Sequence, residues 1–197
     1  MDSLMQNKFL QHQLWINSAG KNGQKLFLED IVVENKQLCN MDISDSVIVG
    51  CKFVKTKMTH IECPSSNLCS SSFSFAALFE CNAIKAELRY SQFACTTLTN
   101  CNFSKADFSE SVFTECRILK CKFANTLLSE CVFENVEFDQ VDFSGSYIDN
   151  VTFGLNVDFH NVTGLSLAQI KSIQIRRPES VIQGKEAISW LLNQEAR

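Results

Sequence analysis

The stretch CNFSKADFSESVFTECRILKCKFANTLLSECVF, residues 101–133, repeats one pattern every five residues. Each unit holds a large apolar residue and, two positions before it, a small or weakly polar one. The large residues are Phe103, Phe108, Phe113, Ile118, Phe123, Leu128 and Phe133, and the small ones are Cys101, Ala106, Ser111, Cys116, Cys121, Thr126 and Cys131. On a helix these positions would spiral around the axis, and on a strand they would alternate between two faces. Neither regular element explains the pattern.

The pattern continues in both directions without an insertion. All 26 positions taken at five-residue steps from Leu28 to Phe153 are apolar. Among the positions two before them, Lys36 alone is neither apolar nor small. The chain must therefore turn once every five residues and keep two side chains inside each time, which predicts a solenoid.

A longer period of twenty residues sets the number of sides. Six of the eleven phenylalanines at the large positions fall in one column, namely Phe53, Phe73, Phe93, Phe113, Phe133 and Phe153. We therefore predict that four pentapeptides form one coil and that residues twenty apart stack. The array would have about 6.5 coils and be about 30 Å tall at the spacing of parallel strands. Lys36, Ala83 and the stretch around Cys63–Pro64 depart from the pattern and predict local irregularity there.

Two segments, CNFSKADFSESVFTEC (101–116) and VEFDQVDFSGSYIDN (136–150), resemble the A(D/N)LXX motif of the pentapeptide-repeat family. The resemblance covers residues 26–155. It implies an all-β solenoid, namely a right-handed quadrilateral parallel β-helix. In one branch of the family the members imitate DNA, bind DNA gyrase or related type II topoisomerases and confer quinolone resistance. Such members often carry a loop inserted in the array, and this array has none.

Both ends of the array need caps, because terminal coils expose apolar surface and unpaired backbone. Residues 1–25 are expected to form an N-terminal helical cap, with a helix over 2–17. His12, Trp15, Gly20 and Gly23 resemble the leaders that precede some pentapeptide arrays. The β-helix is assigned to residues 26–165, although its register slips after Phe153.

Residues 166–197 are expected to form a C-terminal helical cap or a dimerisation segment. The sequence SLAQIKSIQI (166–175) reads as a short helix with Ser166 as its N-cap, and Pro178 suits the first turn of a second helix to about Asn193. One face of that second helix holds Val181, Ile188, Leu191 and Leu192, with Trp190 to the side. The helix either folds back as a cap or pairs two chains. Gyrase-protecting members dimerise through such a helix, so the resemblance favours a homodimer.

The ten cysteines are interpreted as packing material. Cys51, Cys81, Cys101, Cys116, Cys121 and Cys131 occupy the small inward positions, Cys63 occupies a large one, and Cys39, Cys69 and Cys95 fall outside both. A free cysteine behaves as a small hydrophobe. No CxxC pair, histidine cluster or glycine-rich phosphate loop is present in the sequence. We therefore expect no enzymatic activity, catalytic residue, cofactor or metal site. With no export signal or membrane span in the sequence, a cytoplasmic location with reduced thiols is expected.

Charge is the most informative surface property. Residues 26–165 hold 18 acidic and 10 basic residues, a net charge of −8, against −4 for the whole chain. Residues 130–165 contain no Lys or Arg and seven acidic residues, which are Glu130, Glu134, Glu137, Asp139, Asp142, Asp149 and Asp158. They are predicted to form a collar on at least three sides. The collar either keeps the rod soluble or imitates duplex DNA and occupies the groove of a DNA-binding protein.

Two functions follow from these features. The resemblance to the gyrase-protecting branch implies one, a non-enzymatic DNA mimic that binds a type II topoisomerase and does not itself bind nucleic acid. The alternative is a structural or adaptor module, associated with immunity or effector systems, that binds another protein. The sequence leaves open which face binds the partner.

Overall fold

The computed structural model describes residues 3–176 and 179–195, and the side chains of 176, 179, 194 and 195 are left out of the description. The chain forms a parallel β-solenoid of about seven turns between an N-terminal helix, α1 (Ser3–Asn17), and a C-terminal helix, α2 (Gly184–Glu195). No helix in the described ranges is long and apolar enough to span a membrane.

The strands are short, mostly three residues, because the chain turns after each pentapeptide. In chain order they are β1 (Phe27–Glu29), β2 (Val32–Glu34), β3 (Gln37–Asp42), β4 (Val47–Val49), β5 (Lys52–Val54), β6 (Lys57–Glu62), β7 (Ser72–Ser74), β8 (Ala77–Phe79), β9 (Gln92–Ala94), β10 (Thr97–Thr99), β11 (Val112–Thr114), β12 (Arg117–Leu119), β13 (Val132–Glu134), β14 (Glu137–Asp139), β15 (Tyr147–Ile148), β16 (Val151–Phe153), β17 (Asp158–His160), β18 (Gln169–Ile170), β19 (Ser172–Arg176) and β20 (Glu179–Gln183).

Four stacks of backbone form the four sides. One side holds the strand order β3-β6-β8-β10-β12-β14-β17, and the adjacent side holds β2-β5-β7-β9-β11-β13-β16-β19-β20. The third side consists of the pairs β1-β4 and β15-β18 joined by isolated bridges such as Asn67 with Glu87, and the fourth of bridges such as Asn82 with Asn102. Parallel partners lie twenty residues apart, as in Phe53 opposite Phe73. The predicted quadrilateral β-helix is confirmed.

The turns depend on one left-handed residue in each pentapeptide. Every fifth residue from Asp30 to Asn150 has a positive φ, between 49° and 69°. The corner N–H then donates to a carbonyl of the next coil, as Lys120 does to Asp139 at 2.8 Å. A left-handed conformation costs an L-residue about 1–2 kcal/mol. The stack of hydrogen bonds between coils offsets this cost.

The core follows the two inward columns. The phenylalanine column forms a ladder from Phe53 to Phe153, with centroids of neighbouring rings 4.5–5.7 Å apart. Most buried hydroxyl groups of the small column donate to carbonyls of the preceding coil, as Ser111 Oγ does to Leu88 O at 2.6 Å. Because a buried hydroxyl needs a partner, these bonds explain why serine and threonine are accepted inside.

Helix α1 covers part of the first coil. The N–H of Leu26 donates to Nδ1 of the fully buried His12 at 3.0 Å, and Trp15 stacks on the imidazole. Gly23 has φ +77°, and a Cβ there would lie 2.2 Å from the carbonyl oxygen of Gln11. The histidine, tryptophan and glycine of the leader therefore hold α1 against the array.

The C-terminal segment differs from the prediction. The slip after Phe153 is confirmed, because Phe138 lies opposite Phe159, twenty-one residues on. The short helix predicted over 166–175 is wrong, since the segment forms a 3-10 turn at Leu165–Leu167 followed by β18 and β19. Pairing with the last coil, such as Phe153 opposite Ile175, outweighs the local helical pattern. Pro178 lies outside the described residues, and the final helix begins at Gly184 rather than near it.

Candidate interaction surface

The seven predicted carboxylates surround the last coils, and we call them the acidic collar. Glu134 lies on β13, Glu137 and Asp139 on β14, and Asp158 on β17. Asp142 forms a bridge on the fourth side, Asp149 follows β15 on the third, and Glu130 stands at a corner. The structure therefore brings the predicted residues together on all four sides.

An ion pair between Arg117 and Glu137 neutralises part of the collar. Nε of Arg117 donates to Oε2 of Glu137 at 2.8 Å, across one coil spacing. This hydrogen bond and the guanidinium charge lower the pKa of Glu137 below its ordinary value. Glu137 is therefore an anion with a fixed partner and contributes less free charge to a binding surface.

Three further carboxylates are also held by neighbours. Asp142 accepts hydrogen bonds from the N–H and Oγ of Ser144, at 2.9 and 2.6 Å. Asp149 accepts from the hydroxyls of Ser172 and Tyr147 and lies 3.5 Å from Nζ of Lys171.

Partial burial acts to raise the pKa of Asp149, but the bonds from Ser172 and Tyr147 and the ammonium of Lys171 lower it overall. Asp139 accepts from the amide of Asn161 at 3.2 Å. Hydrogen bonds within the coil therefore orient all three carboxylates.

Glu130 and Asp158 are the exposed members of the collar. In the described part of the chain neither of them forms an ion pair or a side-chain hydrogen bond. They are the carboxylates most available to a basic partner.

The candidate dimerisation residues are divided between core and surface. Leu191 is fully buried, and Ile188 and Leu192 are partly buried against the core. Trp190, to the side of these residues, stacks on Phe153 with ring centroids 5.6 Å apart and closes the phenylalanine ladder. Val181 lies on β20, not on the helix, and is 60% exposed. Most of the helix face that was predicted to form a dimer therefore packs against the last coil of the same chain.

The cysteines lie where the repeat places them. All six thiols of the small column and Cys63 are buried, Cys39 is exposed, and Cys69 and Cys95 are partly exposed. Burial raises the pKa of the Cys116 thiol to about 11 and raises that of Cys131 strongly. Within the described ranges no three His, Cys, Asp or Glu side chains are grouped in a way that could hold a metal ion.

Sequence reasoning missed a set of exposed aromatic residues. Phe75, Phe79 and Tyr90 are 61%, 37% and 52% exposed. Phe75 and Tyr90 stand at left-handed corners, where most other pentapeptides place a polar residue. An aromatic residue at the corner position of a pentapeptide could have predicted this exposure from the sequence.

Residues 86–163 match the family model of the pentapeptide repeat region. The chain carries a pentapeptide repeat region. This match supports the family predicted from the A(D/N)LXX-like segments. Comparison with curated proteins gives no significant match.

Solved structures with a similar fold include other pentapeptide repeat proteins. A trypsin-treated variant of QnrB1, a plasmid-mediated fluoroquinolone resistance protein, is 16% identical over 87% of this chain and 93% of that chain, with a TM-score of 0.45. A pentapeptide repeat protein of the Arabidopsis thaliana thylakoid lumen is 15% identical over 62% and 72%, with a TM-score of 0.39. HetL from the cyanobacterium Nostoc sp., involved in heterocyst differentiation regulation, is 15% identical over 84% and 94%, with a TM-score of 0.31. None of these three likenesses transfers a function to this chain.

Proposed function

We propose that the chain is a non-enzymatic interaction protein whose acidic collar binds the DNA-binding groove of a protein partner. The observation that supports this is the collar itself. Seven carboxylates surround the last coils, and residues 130–165 supply no Lys or Arg. A groove lined with cations attracts such a surface over a distance of about 8–10 Å in physiological salt.

The rod shape adds to the charge. About seven coils at a spacing of about 4.8 Å give a rod about 34 Å long. Duplex DNA carries regularly spaced negative charge, and a protein that binds DNA neutralises it with Lys and Arg. A rigid acidic rod competes for the same basic residues. On this proposal the rod binds protein, not nucleic acid, because its own charge repels phosphate.

A type II topoisomerase such as DNA gyrase is the partner that we propose to test first. We choose this enzyme because the sequence resembles the gyrase-protection branch. A DNA mimic bound to the enzyme would reduce the amount of enzyme that quinolones trap on DNA. A cytoplasmic location belongs to the same proposal.

A gyrase supercoiling assay with and without a quinolone tests the proposal. The purified chain should inhibit supercoiling or restore it in the presence of drug, and the effect should weaken with added salt. The double variant Glu130→Gln/Asp158→Asn should weaken the effect about tenfold, because it removes the two exposed collar charges. Glu29→Gln removes an exposed carboxylate at the other end of the rod and should change little. No inhibition, no protection and no binding at low salt would reject the topoisomerase.

An adaptor function is the second candidate, and the exposed aromatic residues favour it. Phe75 and Phe79 stand on one coil, and the Phe79 ring meets His60 edge-on at 6.2 Å. Exposed aromatic residues are enriched at protein interfaces. If this surface binds the partner, Phe79→Ser should abolish capture of that partner while the collar variant retains it.

A homodimer is also proposed, but through β20 rather than through Leu191. The outer edge of β20 pairs with no other strand in the described ranges, and Val181 on this strand is exposed. Light scattering should then give twice the 22.2 kDa chain mass, and Val181→Glu should return it to that of one chain. A mass near 22 kDa for the unmodified chain would reject the dimer.

A further inference from the structure

An apolar cavity of about 600 Å³ runs through the first coils of the solenoid. Aliphatic and aromatic side chains line its length, with Met5 and Phe9 of α1 at its upper end and Phe103 among its deepest residues. Exposed residues of the first coil, such as Val32 and Gln37, also belong to the lining, so the cavity reaches the surface at the N-terminal end.

The cavity arises from one column of the repeat. Phe103, Phe123 and Phe143 fill the large position in the lower coils, and neighbouring rings in this column lie 5.3 and 5.8 Å apart. In the three coils above, the same position holds Ile43, Cys63 and Ala83. These smaller side chains leave the centre of the upper coils open.

A cavity of this size is unusual in a folded protein. Protein interiors pack as densely as organic crystals, and voids larger than a water molecule are few. An apolar lining gives water few hydrogen-bond partners, so the space favours an apolar occupant. Its volume and its mainly hydrophobic lining with a few polar groups at one end are those of a small-molecule site.

The mouth carries a cation at an unusual position. Lys36 occupies a small inward position of the first coil, lines the cavity and is exposed. Its ammonium forms no ion pair within the described part of the chain, and it is the single cation of the lining.

Two carboxylates, Asp30 and Glu34, also border the mouth. The Asp30 carboxylate is turned along the stack, because a Cβ on Gly50 would lie 2.3 Å from its Oδ1. The mouth therefore carries the ammonium of Lys36 and the exposed carboxylate of Glu34 beside an apolar channel.

We infer that the cavity binds a linear acyl chain whose carboxylate stays at the mouth beside Lys36. From the coil of Ile43 to that of Phe103 there are three coil spacings, about 15 Å. An extended hydrocarbon of about twelve carbons has this length, because each C–C bond of about 1.5 Å advances the chain by about 1.3 Å. A medium-chain fatty acid fits the length of the channel, and Lys36 is the cation of the lining that would bind its carboxylate.

Calorimetric titration of the full chain with dodecanoate, below its micelle concentration, tests the inference. We expect saturable one-to-one binding. In a series from octanoate to hexadecanoate the affinity should rise by up to about fourfold per methylene group, as burial of a CH₂ predicts, and should level off beyond about twelve carbons. Dodecanol, with the same chain and a neutral head, should bind more weakly.

Two variants address the two ends of the site. Ala83→Phe supplies the ring found in the coils below and should weaken dodecanoate binding by more than about tenfold, while filling of the cavity raises the melting temperature. Lys36→Gln should weaken dodecanoate several-fold and leave dodecanol unchanged. Lys85→Gln is the matched control, because it removes an exposed lysine outside the lining and should alter neither.

Several results would overturn the inference. They are the absence of saturable binding, an affinity independent of chain length, or a folded Ala83→Phe variant that binds like the unmodified chain. If Ala83→Phe does not fold, the chain-length series on the unmodified protein decides alone. If Lys36→Gln weakens the binding of dodecanoate and dodecanol equally, the proposed contact between Lys36 and the carboxylate is wrong.

Discussion

The phenylalanine ladder predicts a large and local cost for Phe113→Ala. Phe113 is fully buried, and its ring stacks on those of Phe93 and Phe133 with centroids 4.5 and 4.9 Å away. Truncation removes the transfer free energy of the ring and leaves a cavity that two rigid coils cannot close. The free energy of unfolding should fall by about 3–5 kcal/mol. Part of this, about 0.5–1.5 kcal/mol per contact, reflects the lost ring–ring geometry.

Urea unfolding followed by circular dichroism measures this cost. Val112→Ala is the matched control, because Val112 precedes Phe113 on β11 and points outward, 36% exposed. It should change the free energy by about 0.5 kcal/mol or less. Phe113→Leu, which keeps much of the volume, should lie between the two at about 1–2 kcal/mol. A loss below about 1 kcal/mol for Phe113→Ala, or equal losses for Phe113→Ala and Val112→Ala, would refute the inward assignment of the column.

Three further predictions follow from single contacts. In the native protein, a thiol reagent should label only the three cysteines outside the core. The seven buried cysteines, including Cys131, should react only when the protein unfolds, and fast labelling of all ten would contradict this. Burial lowers the pKa of His12 from its ordinary value of 6.5, so the folded state binds fewer protons than the unfolded chain. Stability should therefore fall as the pH drops below about 6.5 and through the lower folded pKa, and thermal melts of His12→Gln should lose this dependence. Phe75→Asn should raise the free energy of unfolding by about 1 kcal/mol, because Asn accepts the left-handed corner better than Phe; a decrease in urea unfolding would contradict it.

The repeat could be predicted from the sequence because the conformation of each pentapeptide depends on its own five residues. Large inward positions such as Phe113 and small ones such as Cys131 need no knowledge of distant parts of the chain. The twenty-residue period then fixes the partners, so the stacking of Arg117 on Glu137 was also available from spacing alone.

The ends and the cavity depend on contacts that no local pattern contains. In SLAQIKSIQI, Leu167, Ile170 and Ile173 suit a helix, yet the segment pairs with β15 and β16 because the last coil offers open edges. The cavity arises from three substitutions twenty residues apart, and each of them is an acceptable core residue by itself. Only their stacking leaves an open channel.

The central claim is that the structural repeat is one coil of twenty residues, and that this period determines which side chains lie in the core and which lie on the surface. Deletion of residues 97–116 removes one coil and joins Thr96 to Arg117 in register, whereas deletion of 97–115 leaves every following residue one position out. Urea unfolding of the two variants compares them directly. We predict that the twenty-residue deletion unfolds cooperatively with a β-rich spectrum and that the nineteen-residue deletion loses cooperative unfolding of the coils after the junction. Equal stability of the two variants, or failure of the twenty-residue deletion to fold, would contradict the account.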